Sequence, residues 1–284
     1  MYLENISGPE DIKKLSLEQL QILAIETRQA LINKISNAGG HSGPNLGMVE
    51  MTVALHYVFD SPKDKIVFDV SHQCYPHKIL TGRKEAFLDK AHFHDVTGYT
   101  NPLESEHDLF TVGHTSTSIS LALGLAKARD LRGGKENVVA IIGDGSLSGG
   151  EALEALDYAG EYNRNLIIIV NDNDQSIAEN HGGIYKTLRQ LREMNGEAEN
   201  NLFKSFGLDY RYLEFGHNLK KLIELFESVK NINHPVVLHI HTIKGKGLRY
   251  AEIDREHWHA GGPFNVVNGS PKFKASVQEN VVFN

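Results

Sequence analysis

The stretch Ile141-Ile142-Gly143-Asp144-Gly145-Ser146, taken with Ile167-Ile168-Ile169-Val170-Asn171-Asp172-Asn173, decides how this chain is read. Each is an apolar run of the kind that forms a buried strand, and each stops abruptly at small, oxygen-bearing residues. Between them, residues 148–162 are compatible with a helix. Strand, helix, strand in this order predicts a parallel pair with its carboxyl ends side by side. In open α/β sheets, ligands bind in the crevice beyond those ends. Asp144 and Asn173 offer oxygens suited to a hard divalent ion such as Mg²⁺, which takes carboxylate, amide and carbonyl ligands and shares them with phosphate. Gly143 and Gly145 are expected to let the backbone turn sharply and a diphosphate approach closely. A lone Gly-Asp-Gly also serves ordinary βα turns. The second set of oxygens shifts the reading toward a metal and diphosphate site.

The flanking pattern repeats the same arithmetic. Ser16-Leu17-Glu18-Gln19 has the form of a capping box and opens a helix to about residue 37, which stops at Gly39-Gly40. Further helices are expected over 50–59, 116–129 and 218–229, and further strands over 65–70 and 235–242. The predicted fold is α/β, an open, mostly parallel sheet with helices on both faces. Residues 185–201, rich in Lys, Arg, Glu and Asn, read either as a mobile solvated segment or as a charged surface helix. One domain over 1–260 is expected, with 261–284 as a linker or tail.

The chain has 284 residues, 40% of them hydrophobic, enough for one large core. Its net charge of −7, with no basic run, argues against a nucleic-acid surface, because backbone binding rests on clustered Lys and Arg. The single Cys74 forms no internal disulfide, and no apolar stretch approaches the ~20 residues of a membrane span. A reducing cytoplasm fits this usage. His72, Cys74 and His77 could each bind zinc, but their spacing matches no familiar site and no fourth ligand stands out.

The two oxygen-bearing turns resemble the thiamine diphosphate signature of the transketolase superfamily. Four other stretches are similar to its 1-deoxy-D-xylulose-5-phosphate synthase branch. They are Gly40-His41-Ser42-Gly43-Pro44-Asn45-Leu46-Gly47, the run from Asp69 to Gly82 with Ser71-His72-Gln73-Cys74-Tyr75-Pro76-His77, Gly113-His114-Thr115-Ser116-Thr117-Ser118, and Ser176-Ile177-Ala178-Glu179-Asn180. The resemblance implies a thiamine diphosphate-binding fold, with Asp144, Asn173 and the carbonyl of Gln175 on Mg²⁺. It implies cofactor contacts from His72, Gly113, His114 and Thr115, from Gly143, Asp144, Gly145 and Ser146, and from Asn173 and Lys244. His41, His72, His114 and His259 are implied as catalytic, lining the space where donor oxygens and protons are handled. Imidazole suits such work near neutral pH. His77 lies in the same kind of loop but is a weaker site candidate than these four, Lys78 could serve either structure or the loop, and Cys74 reads as packed.

By the same resemblance, the chain is the diphosphate-binding half of a transketolase-like transferase of isoprenoid biosynthesis. Such an enzyme would condense pyruvate with glyceraldehyde 3-phosphate and release CO₂. The glutamate that activates the cofactor belongs to a pyrimidine-binding domain, which is expected outside these residues as a further domain or partner subunit. A homodimer is implied, with keto acid and sugar phosphate as substrates. Two departures stand out. The segment after Asn180 is shorter than in typical synthases, and Gln175 stands where Met is usual. Two other readings are a ketol-transfer subunit of transketolase type and a thiamine diphosphate-binding module without catalysis. A Mg²⁺-dependent nucleotide binder fits less well, because neither a Gly-x-x-x-x-Gly-Lys-Ser/Thr loop nor a Gly-x-Gly-x-x-Gly opening is present.

Overall fold

A computed structural model describes residues 1–273. Its strands are β1 (Gly40–His41), β2 (Lys65–Phe68), β3 (Val138–Gly143), β4 (Leu166–Asp172), β5 (Asp209–Leu213), β6 (Pro235–His241) and β7 (Ala260–Gly261). The central sheet runs in the order β2-β3-β4-β6-β5, and every neighbouring pair is parallel. A short antiparallel pair, β1 with β7, joins His41 to Ala260. The longer helices are α1 (Leu17–Ala38), α2 (Val49–Val58), α3 (Ser118–Leu131), α4 (Gly150–Glu161), α5 (Gly183–Glu193) and α6 (Leu219–Val229).

Side chains alternate along each strand, and the alternation sorts the core into two layers. Ile141, Ile169 and Leu238 point to the layer that packs with α1, α2 and α6. Ala140, Ile142, Ile168 and Val170 point to the layer with α3, α4 and α5. The inner strands β3, β4 and β6 therefore read as nearly continuous apolar runs, because both faces of the sheet are covered there. Each fully buried Ile or Leu contributes about 1.5–3 kcal/mol of burial free energy. At the head of α1, Ser16 Oγ accepts from the Gln19 amide while Gln19 Oε1 accepts from Ser16 N at 2.8 Å, the capping box expected from sequence.

Of the two readings open for residues 185–201, the structure takes the charged helix: α5 occupies Gly183–Glu193, buries Leu188 and Leu191, and packs Ile184 and Tyr185 beside them. The edge strand β5 has the sequence Asp-Tyr-Arg-Tyr-Leu and is half-buried throughout, so it lacks the apolar run that marked its neighbours. Helix α3 begins at Ser118 and not at 116, because Ser116 sits in the left-handed region at φ 71°. Packing also continues past residue 260. Phe264 is buried against Trp258 at 4.6 Å between ring centroids, and its amide donates to Ser36 O. Residues 274–284 of the expected tail lie outside the described residues.

Candidate functional site

A cavity of about 270 Å³ opens at the carboxyl ends of β3, β4 and β6. One wall is made by the two turns that opened the sequence reading. Asp144 is buried at the end of β3, with its Oδ1 accepting from Gly145 N at 2.9 Å. Its Oδ2 accepts from Gln175 N and from Asn180 Nδ2, both at 3.0 Å. The Gln175 amide is shared with Asn173 Oδ1 at 3.2 Å, so one N–H gathers an oxygen from each turn. Burial and the neighbouring Asp172 carboxylate push the Asp144 carboxyl well above its ordinary range. Such a carboxylate is poised for a cation, whose charge would offset both penalties.

The glycines act differently from the sequence expectation. Gly143 has φ −77°, ordinary extended backbone, and neither it nor Gly145 lies in the left-handed region. Only Gly145 is required by close packing, and neither is required by a left-handed turn. A Cβ on Gly143 would meet no atom within 4 Å, whereas one on Gly145 would lie 2.8 Å from Ser176 Cβ.

A histidine cluster also lines the cavity. His41, His72 and His259 have ring centroids 5.1–5.6 Å apart. Burial lowers all three proton affinities, taking His72 to about 3 and His259 to about 4. Mutual repulsion and Lys244 add to the effect on His72 and His259. All three rings are neutral at pH 7 and can each give or take a proton. His72 Nδ1, His259 Nδ1 and Gln175 Oε1 are buried without a hydrogen-bond partner in the structure. Unsatisfied polar atoms converging on one cavity mark a place where a ligand supplies the missing partners. Lys244 is buried beneath, donating to Ser176 O at 2.5 Å, and burial draws its ammonium down to about 8.

The linkage sign follows from these shifts. Unfolding exposes histidines that take up protons near pH 6.5, whereas folded His72 and His259 resist them down to about 3 and about 4, and His41 is lowered in the same direction. Stability is therefore complete above pH 6.5 and falls as pH drops toward 4. The buried His56 and the half-buried His107, also lowered, share this slope. His259→Gln removes one contributor. Its urea midpoint should fall less than that of the parent between pH 6.5 and 4.5, and parallel curves would exclude a buried neutral His259.

Not every expected residue reaches the cavity. Thr115 and Ser146 line it, but Gly113 and His114 are exposed outside it, with His114 Nδ1 2.7 Å from Thr115 O. His259 lines it, whereas His257 is exposed. His77 is fully buried elsewhere, between His56 at 2.9 Å and Asp108 at 3.0 Å. The zinc reading finds no support, since no group of three candidate ligands forms among the described residues. A larger cavity of about 540 Å³ lies beside Glu50 and His217. Its polar groups satisfy one another: Glu50 pairs with Arg28 at 2.7 Å and with His217 at 2.9 Å.

Backbone strain converges on the same place. Val70, Ser71, Ser116 and Asp174 all have positive φ, between 56° and 71°. They sit beside His72, Thr115, Asn173 and Gln175. Such residues cost about 1–3 kcal/mol each and gather at functional sites.

The sequence model of the 1-deoxy-D-xylulose-5-phosphate synthases matches residues 3–198 and 193–242. The chain belongs to this family. It is similar to 1-deoxy-D-xylulose-5-phosphate synthase 1 of Geobacter sulfurreducens, 43% identical over 303 aligned residues that cover 94% of this chain and 48% of that protein. The synthase of Carboxydothermus hydrogenoformans is 43% identical over 317, covering 99% and 51%. The chain thus spans about half the length of the curated relatives it matches. Among solved structures, a transketolase from Campylobacter jejuni superposes with TM-score 0.69 at 19% identity, over 87% of this chain and 41% of its own. That likeness supports the fold.

Two residues without an assigned role in the sequence reading organise this synthase-family site. Asn45 Nδ2 donates to His41 O and His72 O at 2.8 and 2.7 Å, and its Oδ1 accepts from Tyr75 N, so one buried amide ties two histidine loops together. Asp69 accepts from Ser116 N and Ser118 N, both at 2.9 Å, and fixes the loop that ends in Thr115. The available signal was a polar residue with no solvent-facing pattern: an Asn inside Gly-Pro-Asn-Leu-Gly, and an Asp directly after an apolar strand.

Proposed function

We propose that this chain is the diphosphate-binding part of a thiamine diphosphate- and Mg²⁺-dependent synthase that condenses pyruvate with glyceraldehyde 3-phosphate and releases CO₂. The observation that carries the reading is the cavity in which a buried Asp144 faces three neutral histidines across unsatisfied polar atoms, in a chain of this family. Asp144, Asn173 and the Gln175 carbonyl fit a hard cation by donor chemistry, all oxygen. They would hold Mg²⁺, and Lys244 would meet a diphosphate oxygen from below. Gly143 and Gly145 leave the turn bare enough for phosphate to approach. Thiamine diphosphate, when bound, supplies a nucleophilic carbon and an electron sink for decarboxylation. His41, His72 and His259, half-buried at the cavity, would hold or move protons at their ring nitrogens.

The remainder of the reading concerns the whole enzyme. A pyrimidine-binding domain or subunit brings the activating glutamate, and the assembled enzyme is a cytoplasmic homodimer. His114 is exposed here and enters the site only if its loop closes against that domain. The test supplies pyruvate, glyceraldehyde 3-phosphate, Mg²⁺ and thiamine diphosphate to the 284-residue chain, alone and with a pyrimidine-binding polypeptide, and measures CO₂ release. Turnover is expected only in the combined sample. Full turnover by the chain alone contradicts the division of labour, and product from a ketose phosphate in place of pyruvate favours ketol transfer.

A further inference from the structure

Helix α5 touches both ligand turns at once. Tyr185 OH donates to Gly145 O at 3.2 Å and lies 2.7 Å from Ser148 Oγ, on the first turn. Two helical turns further on, Arg192 reaches the second. Its Nη1 donates to Asp172 Oδ2 at 2.5 Å, and its Nη2 lies 2.6 Å from Asp174 Oδ1. Residues 185, 188 and 192 fall on one face at helical spacing, and Leu188 seats that face in the core. Asp172 is fully buried and also accepts from His239 Nε2 at 2.7 Å, so its carboxylate is fixed from two sides. Asp174 has φ 61° and follows Asn173 directly, so the turn holds a strained backbone in place.

We propose that Arg192 is a positioning residue that braces the Asp172–Gln175 turn from α5, with Tyr185 bracing the Gly143–Gly145 turn, and that together they hold the two turns in the spacing a Mg²⁺ ion demands. The metal part rests on the proposed function; the brace itself does not. Arginine suits this role because its planar fork spans two carboxylates, which a lysine ammonium does so less well. A charged helix that looked like a solvated surface thereby acquires a task. Mg²⁺ needs near-ideal octahedral geometry, whereas Ca²⁺ accepts irregular sites. Loosening the turn should therefore penalise Mg²⁺ more than Ca²⁺.

Two measurements on the full chain separate the layers. Without metal, hydrogen exchange at the Gln175 amide should quicken by about tenfold or more in Arg192→Ala, while the core strands keep their protection. With thiamine diphosphate present, Mg²⁺ affinity should fall about 10–100-fold, the usual cost of losing an outer partner of a metal ligand. The Mg²⁺ to Ca²⁺ affinity ratio should fall with it, and Arg192→Lys should recover part of both. Tyr185→Phe, which removes only a hydroxyl, gives a smaller loss in the same direction and decides the matter if Arg192→Ala does not fold. Unchanged exchange at Gln175 in a folded variant overturns the brace. Faster exchange in Arg192→Ala, together with a parent chain that binds no Mg²⁺ in the presence of thiamine diphosphate, leaves the brace standing and overturns the proposed function.

Discussion

Asp144→Ala is expected to abolish Mg²⁺-dependent thiamine diphosphate binding and to leave the chain folded. The carboxylate is buried and pressed by Asp172, so in the metal-free state its charge is a cost that alanine relieves. The Gln175 amide loses one acceptor but keeps Asn173 Oδ1 at 3.2 Å, so the turn retains a tie. Removing a direct ligand should exceed the roughly 10–100-fold cost of losing an outer partner. The readout is thermal melting with and without Mg²⁺ and cofactor. A ligand at a hundred times its dissociation constant stabilises a parent chain by about 2.7 kcal/mol, and that shift should vanish in the variant. An equal shift in both proteins removes Asp144 from the metal site.

The second large effect separates two histidines five residues apart. His72 makes no side-chain hydrogen bond among the described residues, and its Nδ1 is orphaned at the cavity. His77 is fully buried and bonded to both His56 and Asp108. His72→Gln should therefore melt within a few degrees of the parent, yet turn over about 10²–10⁴-fold more slowly in the complete enzyme, the usual worth of a positioned proton donor or acceptor. His77→Gln should do the reverse. Stranding a buried partner costs about 1–3 kcal/mol, and chemistry suffers only through stability. Melting curves and kcat measured on both variants decide it: equal behaviour of the two would place His72 in the core and not in the chemistry.

The strands and turns of the site were legible because their signals are local. Apolar runs that end in Gly143-Asp144-Gly145 and Asn171-Asp172-Asn173 announce both element type and the end where ligands bind. The resemblance also pointed to His41, His72 and His259, which the fold brings within 5.6 Å of one another by ring centroid. What stayed hidden depends on distance in space. Val70 is β-branched with φ 56°, a conformation its residue type argues against, so only tertiary contacts could reveal it. Arg192 belongs to a polar segment whose partners, Asp172 and Asp174, lie about twenty residues earlier. His114 was implied as catalytic by its motif, yet its side chain stands outside the cavity, because loop placement is not written in the loop.

If the cavity at the ends of β3 and β4 takes thiamine diphosphate through a divalent cation, calorimetric titration of thiamine diphosphate into this chain, first with Mg²⁺ and then with EDTA, should show saturable binding of one cofactor per chain in Mg²⁺ and its loss on chelation. Binding that persists unchanged in EDTA, or no binding by a chain that still melts cooperatively, would contradict it.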